Sequence, residues 1–220
     1  VRERRFVDNA SHELRTPVAI LKAELDLALS RARTSEELET TLRSAAEETD
    51  HLARLAEDLL VLSRANDGGL PIHRSEVELP SLVAEVVRHF EPRAAEARVR
   101  LEIGDVPRVA FVDPVRIRQA LDDLLDNAVR HTPAGGVVRL SAGRSGDRLL
   151  LRVEDSGDGF PASFIPHAFE AFSRSDGDGR GAGLGLAIVR TIAEAHGGTA
   201  DVSNRDDRGA VVTLAIAERP

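Results

Sequence analysis

The first sixty-odd residues constrain the fold most, because their apolar positions recur at spacings of three and four and the stretch contains no glycine. That period is typical of amphipathic α-helices. Residues 33–36 interrupt the pattern, and Ser35 is expected to cap a second helix there. The sequence therefore predicts an antiparallel helical hairpin. Its two apolar stripes are Phe6, Ala10, Leu14, Pro17, Leu21, Leu25, Ala28 and Leu29, then Leu38, Leu42, Ala45, Thr49, Leu52, Leu55, Leu59 and Leu62.

A hairpin of this kind would bury one stripe on each helix and leave much apolar surface exposed. The second stripe is close to a seven-residue repeat. Two hairpins that pair into a four-helix bundle would cover the remainder. We therefore expect a homodimer formed through the hairpin.

The pattern changes at residues 66–71, where turn residues include Gly68, Gly69 and Pro71. Short strands and helices then alternate, which predicts an α+β fold in which helices cover one face of a sheet. Strands are expected near 75–79, 99–103, 108–112, 137–143, 148–154, 199–203 and 211–217, and helices over 80–97, 114–131 and 184–196. The expected domains are a hairpin at 1–67, a linker at 68–72 and an α/β sandwich at 73–220.

Composition excludes several classes of protein. The formal net charge of −8 argues against a nucleic-acid-binding protein, which needs a basic face. The absence of cysteine excludes disulfides and thiolate metal sites, and makes the cytoplasm the default compartment. No run of eighteen apolar residues is present, so we expect a soluble fragment whose membrane contact, if any, lies in an upstream segment.

Residues 6–17 carry the first candidate site. On a helix, His12 and Thr16 lie one turn apart on the same face, Glu13 is the immediate neighbour, and Pro17 cannot donate to the Glu13 carbonyl. A carboxylate beside an imidazole can take a proton from one ring nitrogen while the other nitrogen attacks an electrophile. Taken alone, a histidine here is more often an inert, solvated surface residue.

Residues 121–133 carry the second candidate site. Asn127 can offer an amide oxygen to Mg²⁺, and Arg130 can reach phosphate oxygens from the same face of the helix. Taken alone, Asp- and Asn-rich helix ends are usually caps or solvated faces.

Residues 154–160 carry the third candidate site, directly after a predicted strand. Gly157 and Gly159 let the backbone turn close to a flat ligand, and the Asp155 carboxylate can accept a hydrogen bond from an exocyclic amine such as that of adenine. Taken alone, this spacing is more often an ordinary turn.

Residues 181–189 carry the fourth candidate site, because amides at a helix N-terminus bind phosphate. The glycine spacing and the preceding polar loop disfavour a Rossmann motif, and the Gly-Lys-Ser/Thr of a Walker loop is missing. Asp176 and Asp178 would suit a calcium loop, but Arg180 and the lack of a closing Glu disfavour one. We interpret this stretch, together with the preceding residues 173–180, as a mobile ATP lid.

These motifs resemble those of the sensor histidine kinases. Residues 6–17 match the phosphoacceptor box at every defined position, and residues 121–133 resemble the asparagine box, which the kinases share with the ATPase superfamily of Hsp90, gyrase and MutL. Residues 154–160 resemble the adenine-binding glycine box, and Phe169 with Phe172 matches the short F-x-x-F box. The resemblance extends over nearly the whole chain and implies a Bergerat-type ATP-binding fold after the hairpin.

The resemblance implies autophosphorylation of His12 by ATP with Mg²⁺, followed by transfer to an aspartate of a response regulator receiver domain. It assigns catalysis to His12, Glu13 and Thr16, of which Thr16 would serve a phosphatase activity toward that regulator. The alternative for Thr16 is a plain helix residue before Pro17. It assigns ATP binding to Asn127, Arg130, His131, Asp155, Gly157, Gly159, Arg174, Gly181, Gly183, Leu184 and Gly185. It assigns Mg²⁺ to Asn127.

Asp123 departs from the family pattern, which often has asparagine one turn before Asn127, whereas hydrolytic members of the superfamily have a water-activating glutamate. An aspartate there could hold Mg²⁺ or permit slow ATP hydrolysis, and we favour the first because its side chain is shorter than that of glutamate. A pure ATPase and a non-catalytic scaffold are the alternative functions.

Overall fold

The structure is a computed structural model that describes residues 2–30, 34–66, 68–174 and 181–218, with the main chain alone for residues 2–5 and 66. The chain divides into two compact units, Val1–Ser63 and Arg64–Pro220. Each is described by itself below. None of the described helices is both long enough and apolar enough to cross a membrane.

The first unit is helical. It comprises α1 (Arg2–Leu29), which continues through Pro17, and most of α2 (Ser35–Asn66). The Ser44 hydroxyl donates to the Glu24 carboxylate at 3.0 Å. A continuous helix would separate these residues by about 30 Å, so α2 folds back along α1 as the predicted hairpin requires.

The cap of α2 lies one residue earlier than expected. Thr34 Oγ1 accepts a hydrogen bond from the Glu37 N–H at 3.2 Å, and the Glu37 carboxylate accepts one from the Thr34 N–H at 2.9 Å. This reciprocal pair is a capping box, which satisfies two main-chain donors at once. The prediction of Ser35 as the cap is therefore wrong, because Glu37 stands three residues after Thr34.

The second unit contains every strand and helix predicted for it. The elements are β1 (Ser75–Glu78), α3 (Leu79–Glu96), β2 (Arg100–Ile103), β3 (Val109–Val112), α4 (Pro114–His131), β4 (Val137–Ser145), β5 (Arg148–Asp155), α5 (Gly185–Ala195), β6 (Thr199–Asn204) and β7 (Ala210–Ala217), with a short 3₁₀ turn at Ile165–His167. Element ends differ from the expected ones by at most two residues.

The main sheet has five strands in the order β2-β4-β5-β7-β6, and β1 and β3 form a separate antiparallel pair. Strand β2 runs parallel to β4, while the other neighbours in the main sheet are antiparallel. Helices α3, α4 and α5 pack against the sheet, and α4 packs against both α3 and α5. This confirms the predicted α+β sandwich.

Alternation along β5 determines where the site begins. Leu149, Leu151 and Val153 are buried, and the same face continues to Asp155, the last residue of the strand. Side chains two residues apart on a strand share a face, so the carboxylate of Asp155 lies at the end of an apolar row.

Candidate functional site

The Asp155 carboxyl is buried at the end of β5, with 8% of the residue exposed. Its Oδ1 accepts hydrogen bonds from the N–H of Gly157 at 2.8 Å and from the N–H of Ala210 at 3.2 Å. Burial raises the pKa of this carboxyl, while the two N–H groups and the nearby His131 and Arg205 oppose the rise. The result is a carboxyl group held rigidly by the main chain.

The glycine loop that follows Asp155 lies against the end of α4. A Cβ atom on Gly157 would stand 2.4 Å from the carbonyl oxygen of His131. Because that distance is too short for any side chain, only glycine fits at this position. Gly209, which was not predicted from the sequence, is constrained in the same way, because a Cβ atom there would overlap the carbonyl oxygen of Asp155. Two separated motifs, at residues 121–133 and 154–160, therefore meet at the last turn of α4.

The middle of α4 faces the start of α5. A Cβ atom on Gly185 would lie 3.5 Å from Asp123 Cβ and Oδ1, so the first residue of α5 is in contact distance of the Asp123 side chain. Asn127 lies one turn further along α4 and is partly exposed. Leu184, which precedes α5, is buried and anchors its N-terminus.

Arg130 lies at one end of the predicted lid. Its guanidinium forms an ion pair with Asp126, which is also paired with Arg93 of α3. A Cβ atom on Gly181 would stand 2.3 Å from Arg130 Nη1, and Gly181 has a φ of +103°. The C-terminal arm of the lid therefore rests on a cationic side chain.

The two arms of the lid are joined at their base. The N–H of Phe172 donates to the carbonyl of Gly183 at 2.8 Å. Arg174, in the N-terminal arm, is exposed, and its Cγ lies near Gly183. The lid residues 175–180 lie outside the described part of the chain.

The candidate phosphoacceptor residues lie on α1, in the first unit. His12 and Thr16 are exposed and Glu13 is partly exposed. The Thr16 hydroxyl donates to the His12 carbonyl at 3.4 Å, near the limit of a hydrogen bond. The structure thus presents the His12 imidazole to solvent on the same helical face as Thr16.

Within the described ranges, no group of three or more His, Asp and Glu side chains is arranged to hold a metal ion. A Mg²⁺ ion, however, usually takes one or two protein oxygens and completes its shell with water and substrate phosphates. The oxygens of Asp123 and Asn127, one turn apart on α4, fit such a site.

Comparison with known proteins identifies the family. The model of the His Kinase A (phospho-acceptor) domain matches residues 2–68. The model of the histidine kinase-, DNA gyrase B- and HSP90-like ATPase matches residues 112–220. The chain belongs to the sensor histidine kinases of two-component systems.

Individual relatives agree with this assignment. The sensor protein IrlS of Burkholderia pseudomallei is 34% identical over 208 residues, which are 93% of this chain and 45% of IrlS. The histidine kinase AdeS of Acinetobacter baumannii has a solved structure with a TM-score of 0.77 and 28% identity, covering 95% of this chain and 98% of that chain. The solved complex of histidine kinase ThkA with response regulator protein TrrA matches with a TM-score of 0.74 and 23% identity, covering all of this chain and 64% of that chain. This kinase chain spans less than half the length of IrlS.

The residues that support the kinase motifs were not predicted from the sequence. Asp126 and Arg93 hold Arg130, and Gly209 and Ala210 hold Asp155. Among these residues, Gly209, directly before β7, was the one that the sequence could have indicated.

Proposed function

We propose that this chain binds ATP with Mg²⁺ in its second unit, phosphorylates His12, and passes the phosphoryl group to an aspartate of a response regulator receiver domain. One observation carries the proposal. The last turns of α4 contact the glycine loop through His131 and Gly157, and contact the lid and α5 through Arg130 and Asp123. Two motifs far apart in sequence, the glycine loop and the lid with the start of α5, thus meet the third motif on one helix, as a nucleotide site requires.

Asp155 is the proposed adenine ligand. Its Oδ1 is occupied by two main-chain N–H groups, which fixes the plane of the carboxyl group. A fixed hydrogen-bond acceptor at the end of the buried row of β5 suits the exocyclic amine of a flat base. The approach to the Asp155 carboxyl would be lined by Gly157, Gly159 and His131.

The phosphates would lie toward α5 and the lid. The main chain at Gly181, Gly183, Leu184 and Gly185 leads into the N-terminus of an 11-residue helix, where N–H groups favour anions. Arg130 and Arg174 would add positive charge from the two sides of the lid. Arg130 would have to leave Asp126, which Arg93 continues to neutralise.

Asn127 and Asp123 would hold the Mg²⁺ ion, which when bound neutralises charge on the phosphates. The position of Asp123 against Gly185, at the start of the phosphate-binding helix, supports a ligand role for its carboxylate. A carboxylate there would draw the metal toward the phosphate end of the site.

His12 would be the acceptor. A ring nitrogen forms a bond to the γ-phosphorus, the bond from that phosphorus to the β,γ-bridging oxygen breaks, and ADP leaves. The proton on the other ring nitrogen goes to Glu13. In the next step the phosphorus–nitrogen bond breaks as an aspartate oxygen of the receiver domain attacks.

Thr16 would support phosphatase activity toward the phosphorylated regulator by orienting water. Its hydrogen bond to the His12 carbonyl is long, at 3.4 Å, so the hydroxyl can turn to a water molecule at little cost.

The proposed assembly is a homodimer through the hairpin. Leu29 is 85% exposed and Leu42 is 64% exposed within one chain, and both belong to the predicted apolar stripes. A second hairpin would cover them in a four-helix bundle. We further propose domain limits of 1–67 and 73–220, and a cytoplasmic location with any membrane anchor outside this sequence.

Labelling with γ-labelled ATP tests the function. The unaltered chain should acquire acid-labile, base-stable label; His12→Ala should acquire none, and His51→Ala, a change of another first-unit histidine, should label normally. Release of phosphate without labelled protein would instead identify an ATPase. Mixing His12→Ala with Asn127→Ala chains adds a second result, because label in the mixture requires transfer between subunits.

A further inference from the structure

Asn204, the last residue of β6, binds the main chain of Phe160 through both ends of its amide group. Its Oδ1 accepts a hydrogen bond from the Phe160 N–H at 2.7 Å, and its Nδ2 donates to the Phe160 carbonyl at 2.8 Å. The two residues are 44 positions apart. Both polar groups of one residue in the glycine loop are thus satisfied by a single side chain.

This contact fixes the far end of the glycine loop. The near end is fixed by Asp155, whose Oδ1 accepts from the Gly157 N–H. Gly159, with a φ of +76°, lies so close to Asn204 that a Cβ atom there would stand 2.7 Å from Asn204 Oδ1. The loop is therefore held at both ends, by a carboxyl group and by an amide.

The turn between β6 and β7, which follows Asn204, contacts Asp155. Gly209 lies against the Asp155 carbonyl, and the Ala210 N–H reaches Asp155 Oδ1 at 3.2 Å. Asn204 therefore joins the glycine loop to the β6–β7 turn that supports the Asp155 carboxyl. A movement of either segment would change the position of this carboxyl.

We infer that Asn204 is a positioning residue for the nucleotide site, holding the glycine loop in its nucleotide-binding conformation before the nucleotide arrives. The inference rests on the proposed function, because it takes Asp155 as the adenine ligand. Preorganisation of this kind raises affinity because binding then requires less ordering of the loop. Asn204 itself need not touch the nucleotide.

The chemistry of the contact requires an amide. Asparagine places a donor beside an acceptor, which matches the carbonyl and N–H of one residue. An aspartate of the same size would set a second carboxylate oxygen against the Phe160 carbonyl, where two acceptors repel. Charged groups near this position include the Asp158–Arg208 and Arg205–Asp207 ion pairs, so a charge control is needed.

The test measures ADP affinity by titration calorimetry in the full chain at pH 8. We expect Asn204→Ala to weaken binding by about tenfold, as the loss of two hydrogen bonds that order a loop would do, and Asn204→Asp to weaken it further. Ser203→Asp is the matched control, because it adds the same charge on an exposed neighbouring residue whose side chain points to the opposite face of β6. It should bind ADP like the unaltered chain.

The split between KM and kcat separates positioning from a merely structural role. A structural defect would lower the fraction of folded protein and leave the affinity of the folded fraction unchanged. A positioning role raises KM for ATP while kcat for His12 labelling changes less than twofold, a small change on the free-energy scale.

Equal ADP affinity in folded Asn204→Asp and unaltered chains would overturn the inference, as would equal weakening by Ser203→Asp. If Asn204→Asp fails to fold, Asn204→Ala decides by the same comparison. Absence of ADP binding by the unaltered chain would refute the proposed function itself, which keeps the two failures distinct.

Discussion

His196 accepts a hydrogen bond from the main-chain N–H of Asp113 through Nε2, at 3.2 Å, while its Nδ1 donates to the carbonyl of Ile192 at 2.8 Å. One ring nitrogen accepts and the other donates, which defines a neutral imidazole with its proton on Nδ1. Asp113 is the N-cap of α4, and His196 is the C-cap of α5. The ring therefore joins the two helices that carry the nucleotide motifs.

The segment before β1 is hydrogen-bonded to both Asp113 and His196. The N–H of His73 donates to Asp113 Oδ2 at 2.8 Å, and the Arg74 guanidinium donates to the His196 carbonyl at 2.8 Å. Leu70 is buried as well. Residues next to the predicted linker are thus tied to the ends of α4 and α5.

Stability of the second unit is predicted to fall in acid because of His196. Burial lowers the pKa of this ring below its usual 6.5, and the Arg74 charge acts in the same direction, while the Ile192 carbonyl and Asp113 oppose the shift. Below pH 6.5 the unfolded chain takes up a proton that the folded chain does not, so the free energy of unfolding declines as the pH falls through that range. Above pH 6.5 this contribution is constant.

Urea unfolding between pH 5.5 and 8 checks this prediction. His196→Gln should lower the free energy of unfolding by about 1 to 3 kcal/mol at pH 8, because a buried hydrogen-bonding group is disturbed, and should flatten the decline in acid. His167→Gln, a change at an exposed histidine, serves as the control and should retain the slope. An unchanged slope in His196→Gln would contradict the assignment.

Asp155→Asn is predicted to weaken nucleotide binding while it stabilises the folded second unit. The variant should lose nucleotide affinity by tenfold or more, about 1.4 kcal/mol, because an amide nitrogen cannot accept from adenine. It should also unfold at higher urea near pH 7.5, because the folded pKa of Asp155 is raised above its usual 3.8 and the ionised form is disfavoured in the folded state. That stabilisation should shrink as the pH falls toward 4.

Calorimetry with ADP and urea unfolding measure the two effects of Asp155→Asn. Asp158→Asn provides the control, since Asp158 is exposed in the same loop. Unchanged ADP affinity in Asp155→Asn would show that this carboxyl is not the adenine ligand.

Gly181→Ala is predicted to impair phosphoryl transfer. Its φ of +103° disfavours alanine, and the added methyl group would displace the Arg130 guanidinium. We expect kcat/KM for His12 labelling to fall by about tenfold or more, consistent with misplacement of a charge at the phosphates. Gly143→Ala is a suitable control because a Cβ atom there would meet nothing within 4 Å. Equal rates in the two variants would argue against a role for Gly181 at the lid.

The fold was predictable because its signals are local. Apolar residues repeat with a period of 3.6 in α1 and α2 and with a period of 2 in β5, because those residues must face a core. Asp155 lies in the buried row of β5 by the same alternation. The supporting contacts were not predictable, because Asn204 and Phe160, or His196 and Asp113, meet only after the sheet has formed. Even the α2 cap was assigned one residue late, since Thr34 and Ser35 are chemically alike and the position of Glu37 decides between them.

Leu42→Glu is predicted to dissociate the proposed homodimer. Leu42 is 64% exposed in one chain, so a lone hairpin would tolerate glutamate there, whereas a four-helix bundle would have to bury two such charges near each other. Sedimentation equilibrium should give a dimer for the unaltered chain and a monomer for Leu42→Glu. Val115→Glu is the matched control, because Val115 is 68% exposed but lies on α4, and this variant should remain dimeric. A monomeric unaltered chain would contradict the bundle, and so would a dimer that persists in Leu42→Glu, because the second stripe would then lie outside the interface.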